Sequence, residues 1–301
     1  MEFIEGHLGE FAALLTALFW TVSALAFETA TIRLGSVAVN ILRLVVGFIF
    51  LSILTSIIRG HLFPSDAGPE NWFWLSLSGL VGFVFGDLFL FKSYAVIGSR
   101  FSMLIMTLVP PVTALFGWII LGEHLTALNL LGMVLTFSGI GMAILTRDGG
   151  KREKFILKLK PPGLLYAFGG AVGQALGLIL SKMGMKDYDP FASTQIRIIS
   201  GIAGFAILVT LMKRWRSVMM SVRDRTGMKA LTLGAMFGPF LGVSFSLVSV
   251  KLTKAGIAST IMALTPVFII IPAILLYKQK VTIPEIAGAI ISVCGVALFF
   301  I

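Results

Sequence analysis

Three ionisable residues stand inside long apolar runs of this sequence: Arg43 in 36–58, Asp87 in 72–94 and Arg197 in 191–212. A carboxylate in such a place can take up and release a proton, and a guanidinium can receive an oxyanion with its planar fork of donors. Arg43 lies about seven residues into its run and Asp87 about seven from the end of its own, so both sit roughly 10 Å deep from one face at 1.5 Å per residue. They can therefore meet. Glu28 and Lys92 lie nearer that face, whereas Arg197 is placed like Arg43 but from the opposite one. Two accounts fit these positions. Arg43 and Asp87 form a structural pair while Arg197 snorkels to water, or Asp87 is a protonatable gate and Arg197 contacts an anion.

The elements that carry these groups follow from composition. Hydrophobic residues make up 57% of the 301 and charged ones 13%, with mean hydropathy +0.98. A soluble domain carries roughly twice that share of charge, so the solvent is lipid. Polar and Gly/Pro punctuation divides the chain into ten apolar stretches, near 9–29, 36–58, 72–94, 101–121, 126–145, 162–181, 191–212, 228–250, 256–277 and 283–301. Most have about the 20 residues that cross a hydrocarbon core, and only helices satisfy their own backbone there. The first lacks a basic leader and exceeds a signal-peptide core, so it reads as a retained helix. The expected fold is an all-α integral membrane protein with ten transmembrane helices.

The chain also repeats itself. "IMTLVP" at 105–110 returns as "IMALTP" at 261–266, and at the same offset of 156 Gly82, Gly86, Thr126, Gly132 and Gly139 fall on Gly238, Gly242, Thr282, Gly288 and Gly295. At 154, Arg43 falls on Arg197. The polar stretch "TRDGGKREKFILKLKP" then reads as a basic linker at 146–161 between a first five-helix repeat, 1–145, and a second, 162–301. Five is odd, so the second repeat enters the membrane from the other side. Inverted repeats of this kind recur in secondary transporters, where rocking one bundle against the other exposes a midplane site to each side in turn.

The run "VPPVTALFGWIILGEHLTALNLLGMVLTFSGIGMAIL", with "GDLFLFKSYAVIGSR" at 86–100 and the early Arg43, resembles the EamA-like branch of the drug/metabolite transporter superfamily. The resemblance covers essentially the whole chain; it departs where Gln279 stands in the second copy at the place of Glu123. It implies a ten-helix carrier that exports amino acids or other small metabolites without ATP. Helices one to four and six to nine would surround a central cavity. A translocase of lipid-linked or sugar-conjugate substrates on the same fold is the alternative.

Within that frame Thr16, Trp20 and Ser23 share a face of the first stretch, and their mates at offset 154 are Gly170, Gln174 and Gly177. Small and polar groups on matching faces suit a cavity wall, and equally a close helix contact. The expected substrate contacts are Thr16, Trp20, Ser23, Gln174 and Arg197, with Arg43 and Asp87 for gating or coupling. Pro110 and Pro266 break the backbone ladder at matched positions and are hinge candidates. The four-residue stripe Gly234, Gly238, Gly242 and Ser246 reads as close packing. Thr126 and Thr282 read as helix N-caps, and Glu123 as a structural carboxylate favoured by the dipole of the fifth helix.

No G-x-x-x-x-G-K, no H-E-x-x-H and no dense His/Cys/Asp cluster occurs, so neither nucleotide hydrolysis, a metal, a cofactor nor membrane enzymology is expected. The single cysteine, Cys294, excludes an intrachain disulfide. The net charge of +10 belongs to loops and so to the membrane surface, not to nucleic acid. The partners are then the bilayer and a small molecule. Loops after odd-numbered stretches hold sixteen Lys and Arg against five after even-numbered ones. By the positive-inside rule the linker faces the cytoplasm, and both termini lie outside a plasma (inner) membrane. Oligomeric state is not specified: the faces of Gly132/Gly139 and Gly288/Gly295 fit either the same chain or a second protomer.

Overall fold

A backbone in hydrocarbon has no water to bond, so the chain crosses as helices and turns only at its polar or Gly/Pro punctuation. The computed structural model describes residues 6–90, 92–93, 96, 105–146, 161–269, 272 and 283–301, and among them there is no strand. Helix α1 is Leu8–Leu34, α2 Ser36–Arg59, α3 Pro69–Leu90, α4 Val109–Leu121, α5 Ala127–Thr146 and α6 Pro161–Met185. Then come α7 Pro190–Leu211, α8 Trp215–Ser221, α9 Arg225–Leu252, α10 Ala255–Met262, α11 Thr265–Phe268 and α12 Ile283–Ala297, which ends in a 3₁₀ turn, Leu298–Phe300. Among the described residues seven helices are long and apolar enough to cross a membrane: α1, α2, α3, α6, α7, α9 and the last, counted through its 3₁₀ turn. Of the expected fourth and ninth stretches only α4, α10 and α11 are substantially described, and linker residues 147–160 and Thr282 lie outside the described residues.

The helix ends follow local chemistry. Asp189 and Asp224 cap α7 and α9, accepting from the Ala192 and Gly227 amides. Thr126 caps α5 in a reciprocal box with Asn129, at the position its sequence suggested. Glu123 is placed differently from the expectation. Its Oε2 accepts the Ala255 amide that opens α10, and its Oε1 meets Lys182 Nζ at 2.6 Å. The carboxylate serves the start of α10 across the bundle, not that of α5. Helix α8 was unforeseen, because seven residues are too few for a periodic signal.

The repeated phrase has a structural counterpart. Each copy runs as helix, breaks in a two-residue turn at Thr107–Leu108 or Ala263–Leu264, and resumes as helix at Val109 or Thr265 with proline next. Pro110 and Pro266 thus occupy the first turn of a new helix, where a missing N–H costs nothing. Pro266's side chain lies outside the described residues. Two π-helical segments also recur at the same offset, Leu80–Gly86 within α3 and Met236–Gly242 within α9.

Small residues let these helices approach. On α9, a Cβ added at Gly234 or Gly242 would sit 2.5 Å from the Phe27 ring or 2.6 Å from the Trp20 indole of α1, closer than real contacts allow. On α3, Ser78 Oγ donates to the Gly177 carbonyl of α6 at 2.5 Å, and a Cβ on Gly177 or Gly173 would strike Gly82 or Gly86. So α9 packs on α1, and α3 on α6. The α5–α12 contact answers the question of the remaining glycine faces. Gly132 lies against Gly295 and Gly139 against Gly288, while Thr136 and Ser292 hydrogen-bond each other's carbonyls at 3.5 and 3.3 Å. Those faces pack within one chain.

On one face, Tyr188 in the α6–α7 turn donates to Asp66 at 2.9 Å, and Arg59 closes the set. Burial raises the Asp66 carboxyl, but the Tyr188 hydroxyl, its own backbone amide and Arg59 outweigh it and hold it below the usual carboxylate range. A depressed carboxyl adds stability above its unfolded pKa that disappears as pH falls through the folded one. Melting in detergent should therefore lose stability below about pH 4, and Asp66→Asn should flatten that limb while lowering Tm near neutrality. For the α5–α12 seam, Gly139→Ala puts a Cβ 2.4 Å from the Gly288 carbonyl and should destabilise by about 1–3 kcal/mol. Gly141→Ala meets nothing within 4 Å and should be neutral or stabilising by up to about 1 kcal/mol; equal effects of the two would contradict the packing.

Candidate functional site

Residue 87 stands immediately after the π segment of α3, which offsets the helix ladder by one carbonyl. Asp87 is 8% exposed and its carboxylate is fully engaged. Oδ2 pairs with Arg43 Nη2 of α2, and Oδ1 accepts from Gln174 Nε2 of α6 at 3.0 Å. The same amide nitrogen donates to the Gly82 carbonyl at 3.1 Å, inside the π segment. Gln174 thus ties Asp87 to the backbone one turn earlier. The Arg43 guanidinium also lies 5.7 Å from the Phe27 ring centroid of α1, a cation–π contact. Three helices supply this cluster, and α1 closes over it.

The sequence placed Arg43 and Asp87 at one depth, and the structure pairs them. Gln174 was read as a wall residue opposite Trp20, and the two have different neighbours. Trp20 lies on Gly242 of α9, whereas Gln174 lies on Gly86 of α3. Those positions correspond under the internal offsets, so Trp20 and Gln174 do the same packing job in the two copies. The chemistry differs because the position matching Asp87 is Val243. Thr16 is fully buried and its hydroxyl donates to the Ala12 carbonyl of its own helix at 2.8 Å. Ser23 faces Gly238. Ser23 therefore sits in the α1–α9 seam. The Glu28 side chain lies outside the described residues, while Lys92 is exposed and hangs 5.7 Å from the Tyr166 ring centroid.

Arg197 is 5% exposed, and its guanidinium lies 4.9 Å from the Phe83 ring centroid of α3. Its side chain makes no hydrogen bond and no ion pair among the described residues, and its Nε is buried without a partner. It does not snorkel to water. The roles of Phe83, Phe27 and the Gly82 carbonyl carried no motif; only the paired glycines around residue 82 marked the place. No group of three or more His, Cys, Asp or Glu among the described residues could hold a metal. The cluster offers one buried carboxylate answered by one guanidinium and one amide, with the Arg197 guanidinium near Gly82.

A crevice of about 360 Å³ between α4 and α5 is lined by Pro111, Trp118, Glu123, Leu130 and neighbours. It is chiefly apolar and separate from Asp87.

A family model described as the EamA-like transporter family matches residues 7–145 and again 161–301. The human solute carrier family 35 member G1 is 25% identical over 296 residues, covering 96% of this chain and 77% of that protein. A solved crystal structure is similar over 98% of this chain and 96% of its own, with a TM-score of 0.77 at 18% identity, a likeness of fold. With its apolar helices and its charge cluster held at depth, this multi-pass membrane chain belongs to the EamA-like transporter family, transporters of small solutes.

Proposed function

We propose that the protein is a secondary carrier of ten helices in two inverted repeats, 1–145 and 162–301, that exports amino acids or metabolites of similar size by alternating access. The Arg43–Asp87–Gln174 cluster is its coupling site. The observation that carries this is the single carboxylate of that cluster, held at depth by residues from the two repeats. Protonating Asp87 would release Arg43 and loosen α2 from α3, while Gln174 keeps α6 on α3 through the Gly82 carbonyl. The repeat reading is supported by the double match of the family model, the π segments and proline breaks at one offset, and the mutual pairing of Thr136 with Ser292.

The orientation with both termini outside gains support from how each face uses its cations. On the poorer face Arg59, Lys182, Lys186, Lys251 and Lys254 all bond carboxylates or carbonyls of neighbouring turns. On the richer face Arg33 pairs with Asp224, whereas Lys213, Arg214, Arg216, Arg223, Arg225 and Lys229 have no ion pair among the described residues. Cations of that face are free to meet anionic lipid, as cytoplasmic loops do.

Transport by the purified protein in proteoliposomes, screened against amino acids, nucleosides and amphipathic drugs across a pH series, tests the function. Asp87→Asn should flatten the pH dependence and reduce uptake, and Gln174→Ala should reduce uptake with folding intact. Unchanged pH dependence in Asp87→Asn would remove Asp87 from coupling. The pair itself is tested by stability. Asp87→Asn strands a buried arginine and should cost about 3–5 kcal/mol, and the double variant Arg43→Gln/Asp87→Asn should recover much of that loss; strict additivity would rule the pair out. For orientation, cysteines at Gly6 and Gly149 in a Cys294→Ser background are labelled on intact cells with an impermeant maleimide. Labelling at 6 alone is expected; labelling at 149 alone means the reverse topology.

A further inference from the structure

The internal repeat leaves one charge unanswered. Arg43 has Asp87 for a partner, while Arg197, its mate at offset 154, has Val243 where an acid would stand. Among the described residues the buried cluster therefore holds two guanidiniums and one carboxylate, a net charge of one positive. A lone cation at this depth is costly and persists where a counter-ion or water meets it.

The geometry shows where a counter-ion would bind. The Arg197 head lies over Phe83, and its Nη2 is 3.4 Å from the place a Cβ on Gly82 would occupy, so at 82 that edge faces bare backbone and no side chain. Its Nε is buried and donates to nothing among the described residues. One turn earlier on α7, the Ser193 hydroxyl is also buried with no partner among the described residues. Two orphaned donors thus lie on one face of α7 at i and i+4. The Nε–Nη2 edge of a guanidinium binds the two oxygens of a carboxylate side by side. Gly82 also links this edge to the coupling cluster, since its carbonyl is the one that Gln174 holds.

We propose that Arg197 and Ser193 form the receptor for the carboxylate of the transported solute, which makes the protein a carrier of carboxylate-bearing metabolites that rejects their neutral analogues. This deepens the carrier reading above and rests on it for the word transported. Substrate binding then cancels the charge of the cluster, and the Asp87 ion pair and the substrate ion pair flank one turn of α3. Because both touch the Gly82 backbone, the first through Gln174, occupancy at Arg197 bears directly on the contact that the proton would release.

The experiment measures thermal unfolding of the purified protein in detergent with free amino acids, the corresponding amino-acid amides and inorganic phosphate, alongside proteoliposome transport of the acids and amides. Acids should raise the wild-type Tm and be transported, and amides should do neither. Arg197→Gln should abolish the acid-dependent shift and lower acid transport at least about tenfold. Its own Tm should match or exceed that of wild type, since an unpaired buried charge is removed. Arg197→Lys keeps the charge but not the fork and should fall between the two. Equal protection by acid and amide, protection by phosphate alone, or a full acid response in Arg197→Gln would overturn the proposal. A sharply lower basal Tm in Arg197→Gln with the acid response kept would mark a purely structural arginine and overturn it as well. If acids bind through Arg197 but none is transported, the carboxylate site stands and the carrier reading fails.

Discussion

A carboxylate buried among apolar helices cannot be left alone, and the way Asp87 is answered organises this molecule. Its two oxygens are engaged from different helices, by Arg43 of α2 and by Gln174 of α6. Both must reach α3 at the turn where its ladder widens into a π segment. Reaching it requires α6 to lie within glycine distance of α3, and the chain supplies Gly82, Gly86, Gly173 and Gly177 at that crossing. The polar contact and the smooth contact are one design. Without the small residues the amide would stop short, and without the amide the Gly82 carbonyl would lose its donor.

The same crossing occurs a second time with its chemistry removed. Trp20 meets Gly242 where Gln174 meets Gly86, and Val243 stands for Asp87. Two copies of one packing arrangement, one charged and one apolar, differ in what can move them. At its crossing the apolar copy has no carboxylate, and its polar ties lie at the helix ends, Arg33 with Asp224 and Thr253 with Glu10, while the charged copy carries an ion pair within the crossing itself.

Much of this was legible in the sequence, and the reasons are physical. The all-helical, membrane-spanning class and the shared depth of Arg43 and Asp87 follow from apolar length and rise per residue, which depend on the segment alone. Glycine stripes announced close contacts, but stripes do not name their partners. That α3 meets α6, that α9 meets α1, and that Gly132 faces Gly295 are facts of assembly between distant segments. For that reason Gln174 was assigned to a wall opposite Trp20, and Glu123 to the dipole of α5 when it serves α10 and Lys182. Helix α8 carried too few turns to show a period. That Arg197 has no matching acid was legible from Val243 at the place of Asp87; that its head lies over Phe83 and near Gly82 was not.

The central claim is that the bundle of α3 and α6 and the bundle of α1 and α9 open alternately on the two faces around Asp87. Spin labels placed at Phe73 and Leu252 on one face, and at Ile32 and Leu165 on the other, all at exposed positions, allow both gaps to be measured by pulsed electron resonance in nanodiscs. Between acid and neutral pH, or with and without substrate, one distance should lengthen as the other shortens, and Asp87→Asn should hold both in a single state. Distances that stay fixed, or that grow and shrink together on the two faces, would contradict alternating access about this carboxylate.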